Sequence, residues 1–151
     1  MSTDDFFKEI KNALNAKDQA KSDADHLRMA NIGFAESVIK RLKPLAETYK
    51  AKMAEMGVQA TVEAFQRALI FKVKYADGGY HGAQLEPDSQ TGKIQLSGIY
   101  TEGGKNYRST GTPLFDEKSW NDGKFEAEMK KAIKEALFYA DRNGGLARID
   151  D

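Results

Sequence analysis

KYADGGYHGAQL, Lys74–Leu85, sets three glycines beside an acid, two tyrosines and a histidine. It reads either as a loop that grips a ligand or as a tight turn between two strands. The residues before it decide first. Leu69, Phe71, Val73 and Tyr75 alternate with Ile70, Lys72 and Lys74, the period of a half-buried strand. The residues after it alternate as well, so the glycines join strand to strand. A phosphate-gripping loop instead opens a helix, whose N-terminal amides face the anion. The chain also lacks GxGxxG and GKS/GKT patterns.

Side-chain parity then sets the turn. A two-residue Asp77-Gly78 loop would turn Tyr80, Gly82, Gln84 and Glu86 to the core. A three-residue Asp77-Gly78-Gly79 loop turns His81, Ala83 and Leu85 there instead and keeps the face apolar. This register predicts Leu85 opposite Phe71 and Ala83 opposite Val73.

The same arithmetic extends outward. PDSQTG, 87–92, is a turn cluster; closing it with Glu86 beside Lys93 predicts Ile94 opposite Leu85, Leu96 opposite Ala83 and Gly98 opposite His81. Glu102-Gly103-Gly104-Lys105 predicts a further hairpin, with Tyr107 opposite Tyr100, Ser109 opposite Gly98 and Gly111 opposite Leu96. Pro113 puts the last strand at an edge or at its end. Upstream, Val58–Ala64 alternates too and pairs through Gln66-Arg67, placing Ala64 beside Leu69; its alanines also allow a continuation of the preceding helix.

The first 57 residues are helical in period. Phe6, Ile10 and Leu14 recur every fourth residue behind three possible caps, Ser2, Thr3 and Asp4. NAKDQAKSDAD, 15–25, carries no large apolar residue and reads as a loop or a solvated helical link. Leu27, Asn31, Phe34, Val38, Leu42, Leu45, Tyr49, Met53 and Met56 then form an eleven-residue repeat. Capped at Ser22 or Asp23 and stopped at Gly57, this helix would be about 50 Å long. Pro44 predicts a kink near Arg41–Pro44 or a junction of two helices. At the other end, Phe125, Met129, Ala132, Ile133, Ala136, Leu137 and Ala140 predict an amphipathic helix capped by Ser119 or Asp122 and ended by Asn143-Gly144. Residues 145–151, including Asp150 and Asp151, read as a loosely held tail.

The expected fold is α+β in one domain. A helical region spans 1–57, a meander of four or five antiparallel strands spans 58–114, and a C-terminal helix covering the sheet's apolar face spans 115–144.

Composition narrows the function. The 151 residues hold 23 basic and 23 acidic side chains, so no global field draws the chain to nucleic acid or an anionic membrane. The basic run Lys40, Arg41, Lys43, Lys50 and Lys52 reads as a solvated helix face, with no nucleic-acid motif beside it. The absence of cysteine removes disulfides, thiolate metal sites and thiol nucleophiles. No secretory signal and no apolar run of roughly 20 residues is present, and a cytoplasmic location is expected. His26, near Asp23 and Asp25, has too few partners for a metal site. No catalytic residue, cofactor or metal ligand is assigned.

Two expectations remain. The leading one is a non-enzymatic interaction or assembly module. It forms a homodimer or binds a protein partner through Phe34, Val38, Leu42, Leu45 and Tyr49 on the long helix, whose stripe outruns what a small sheet needs. The alternative is a small-molecule binder using a notch around His81, with Tyr100 and Tyr107 as walls and Ser109 nearby. There, small residues (Gly82, Gly98, Gly111) leave space that either admits a ligand or lets a helix approach.

Overall fold

The computed structural model describes residues 2–109 and 111–149; Asp150 and Asp151 of the expected tail lie outside them. Helix α1 runs without a break over Thr3–Glu55, through the polar link and through Pro44. At 1.5 Å per residue it is about 80 Å long. The short N-terminal helix, the loop and a junction of two helices at Pro44 are therefore replaced by one element. Ala16, Ala20, Ala24, Lys17, Lys21 and Gln19, all good helix formers, make up six of the eleven link residues. Pro44 denies a partner only to the carbonyl of Lys40, an exposed residue that water can serve. Ser2 caps the start, its hydroxyl accepting from the Asp5 amide at 3.2 Å. At the other end the amides of Val58 and Gly57 donate to the carbonyls of Met53 and Ala54, a Schellman motif.

The sheet is antiparallel. Strands β1 (Ala60–Phe65), β2 (Ala68–Lys74), β3 (Tyr80–Pro87), β4 (Ile94–Glu102) and β5 (Lys105–Arg108) lie in sequence order, and the two-residue β6 (Leu114–Phe115) also pairs with β4. Ala64 faces Leu69, and Tyr107 faces Tyr100, as the sequence predicts.

Two registers slip by two residues while keeping every face. Phe71 faces Ala83, not Leu85, and Val73 faces His81. The three-residue loop is Ala76-Asp77-Gly78, because Gly78 takes the left-handed position (φ 92°) and the Tyr75 amide donates to the Gly79 carbonyl. The Asp77 carboxylate fixes this choice by accepting from the Gly79 amide at 2.8 Å. In the next hairpin Leu96 faces Leu85, Gly98 faces Ala83 and Tyr100 faces His81. Asp88, not the expected Glu86, closes that turn. Its amide donates to the Lys93 carbonyl, and its carboxylate accepts from Gln90, Thr91 and the Thr91 hydroxyl. Glu86 instead meets Arg108 at 2.7 Å. Gly111 does not reach Leu96, since β5 ends at Arg108.

Helix α2 (Gly123–Tyr139), followed by a 3₁₀ turn (Ala140–Asn143), packs with the C-terminal half of α1 on one face of the sheet. Val38, Leu42, Leu69, Phe71, Leu85, Phe125 and Met129 make this core. Leu137, expected in the α2 stripe, is exposed. Asp122 holds the cap position but caps nothing: its carboxylate receives Arg41 and the Trp120 indole, tying α1 to α2. The segment after α2 is no loose tail. The Gly145 carbonyl accepts from Ala76, the Ala147 carbonyl from Gln59, and the Ala147 and Ile149 amides donate to Lys74 and Gly57. Residues 145–149 thus bridge the start of β1 to the end of β2. No helix among the described residues is long and apolar enough to cross a membrane.

Candidate functional site

The five helix residues expected at a partner contact sit on their own sheet. Val38 and Leu42 are fully enclosed, and Phe34, Leu45 and Tyr49 pack half-buried on the same core. Tyr49 stacks edge-on against Phe71 and donates its hydroxyl to Glu126 at 2.8 Å. Burial, reinforced by Glu126, pushes that hydroxyl up to about 12.

What lies free is the other half of α1. Every side chain from Asp4 to Lys21 is exposed, and among the described residues tertiary hydrogen bonds from the helix begin at Arg28 and Asn31, which donate to the carbonyls of Ser89 and Thr91. Phe6, Phe7, Ile10 and Leu14 are 46%, 62%, 40% and 56% exposed. Phe6, Ile10, Ala13, Lys17, Ala20, Ala24 and Leu27 are spaced alternately by four and three, the period of a coiled-coil seam. His26 is exposed on this arm, and no cluster of metal-ligating side chains occurs among the described residues.

His81 is the second focus. It is 7% exposed and lies on the core face of β3. Its ring stacks on Tyr100 of β4 and on Tyr139 of α2, with centroids 5.4 and 5.5 Å away and planes within 14° and 9°. Tyr75 approaches edge-on, its hydroxyl 2.6 Å from His81 Nδ1. Burial, with Asp77 and Glu135 adding to it, pushes the Tyr75 hydroxyl up to about 12. The Glu135 carboxylate, which can only accept, stands beside Nε2 and favours the ring proton there, leaving Nδ1 to accept from Tyr75. Nε2 faces Glu135 Oε2 across 3.6 Å, too long for a hydrogen bond. Burial holds the imidazole below its ordinary 6.5, partly offset by Glu135.

A cleft of about 700 Å³ opens over this group, lined by Tyr100, Thr101, Glu102, Glu135, Tyr139 and Arg142 among others. The other residues expected at the notch fall elsewhere. Tyr107 stacks on Tyr100 at 5.4 Å and does not line the cleft. Ser109 accepts from the Gly98 amide at 2.8 Å. The room above Gly98 is taken by Glu128 of α2, whose carboxylate would lie 3.0 Å from an added Cβ. There the small residues admit a helix. Glu135, Tyr139, Arg142 and Asn143 were not anticipated. Glu135 and Tyr139 are four apart on one helical face, a spacing visible in the sequence.

No known family, curated protein or solved structure matches the chain.

Proposed function

We propose that the protein is a non-enzymatic assembly module that pairs with a second copy of itself through the N-terminal half of α1. One observation supports this above the others: an apolar seam with coiled-coil spacing stands on a helix that its own domain leaves uncovered. In proteins most helical stability comes from a packed amphipathic face rather than from propensity. Ala13, Ala20 and Ala24 allow close approach of a partner helix. Lys17, the charged seam position, can lay its aliphatic stem along the contact. A two-fold pairing uses the same stripe twice and closes on itself.

Ile10→Glu tests the reading. Sedimentation should show the substituted chain as a monomer where the unaltered chain is a dimer, with unchanged thermal unfolding of the sheet. A substituted chain that still dimerises would place the contact elsewhere.

A further inference from the structure

We infer that the cleft over His81 is a binding site for a neutral polyhydroxylated molecule, of the class of a mono- or disaccharide. This site is separate from the helical arm and does not depend on it.

The inference starts from the gap at the cleft floor. His81 Nδ1 is occupied by Tyr75, and the carboxylate facing Nε2 favours the ring proton on that nitrogen, which makes Nε2–H the donor. Across 3.6 Å stands the Glu135 carboxylate, an acceptor. Donor and acceptor are too far apart to satisfy each other. A hydroxyl placed against both accepts from Nε2–H and donates to Glu135, which neither an ammonium nor a carboxylate can do.

The walls agree. Tyr100 and Tyr139 are half-buried rings flanking the imidazole; Tyr107 stacks on the one and Arg142 lies over the other, so they offer the cleft ring edges and hydroxyls. The rim carries Glu102, Arg142 and Asn143, planar polar groups that pair with neighbouring hydroxyls. Two carboxylates and one guanidinium in the lining disfavour an anion. Arg142 also lies over the Tyr139 ring, 5.0 Å from its centroid. The lining is thus rich in hydrogen-bonding groups and poor in net charge, the complement of an uncharged polyol.

The test is an NMR titration of the full chain with glucose, galactose, N-acetylglucosamine and their disaccharides, up to about 50 mM, well above a millimolar dissociation constant. At least one sugar should shift the His81 imidazole and the Tyr100 and Tyr139 ring signals together. Glu135→Ala should weaken that sugar about tenfold or more, the worth of a hydrogen bond to a charged group. Ile10→Glu should leave it unchanged. Thermal unfolding of each variant separates lost binding from lost fold. The inference fails if no sugar moves the His81 signals, if the shifts map away from the cleft, or if a folded Glu135→Ala chain binds as before. It fails equally if phenethylamine or phenylacetate binds the cleft and the sugars do not.

Discussion

At the scale of single residues, two positions carry sharp consequences. Gly92 has φ 76°, and a Cβ there would stand 2.5 Å from the Arg28 carbonyl and 2.9 Å from Ile32. Here the β3–β4 turn meets α1. Gly92→Ala combines a left-handed strain with a backbone clash, and about 1–3 kcal/mol of destabilisation is expected in urea unfolding. An unchanged midpoint would mean that turn and helix are not in contact. His81 ties stability to pH. Its folded value is depressed by burial, so the unfolded chain takes up the proton first. Stability is full above about pH 6.5 and declines as pH falls toward the folded value. The urea midpoint of the unaltered chain should drop more between pH 7.5 and 5 than that of His81→Phe. Parallel slopes would show that His81 does not titrate as described. Parity made it legible that His81 and Tyr100 share a face, while the expected register set Gly98 rather than Tyr100 opposite His81. The place of Glu135 and Tyr139 was not legible, because the closeness of β3 and α2 is a property of the packing and not of any local pattern.

At the scale of elements, what the sequence made legible and what it hid follow from the same physics. A two-residue slip keeps every side chain on its face, so the alternation of Phe71, Val73, Ala83 and Leu85 cannot separate the two registers. The carboxylates of Asp77 and Asp88 can, by choosing which amides the turns close on. Likewise a run without large apolar residues, 15–25, reads as well for a loop as for a solvated helix, and only continuity with the helices on both sides settles it. Residues 145–149 carry no strand pattern because they pair at only two isolated bridges, Val58–Arg148 and Tyr75–Leu146. Hydrogen exchange can see each of these elements. The amides of Ala147 and Ile149 should be protected, since both donate within the clip. Arm amides, from about Ile10 to Leu27, should be protected at high protein concentration and lose protection on dilution, while those near Val38 and Leu42 stay protected throughout. Arm protection independent of concentration would argue against a partner helix.

At the scale of the whole molecule, the α+β architecture followed from period alone: a 3.6-residue stripe, a run of alternating strands, then a second stripe. The length of the free arm did not, because an apolar stripe says that a helix is covered but not by what. The sheet claims Val38 and Leu42, leaving Phe6, Ile10 and Leu14 without cover. That division of one helix into a docked half and an open half is the basis of the assembly reading. Light scattering of the unaltered chain across a dilution series tests it most directly. A dimer mass at high concentration, falling toward the monomer on dilution, is the predicted result. A monomer mass at every concentration would contradict it.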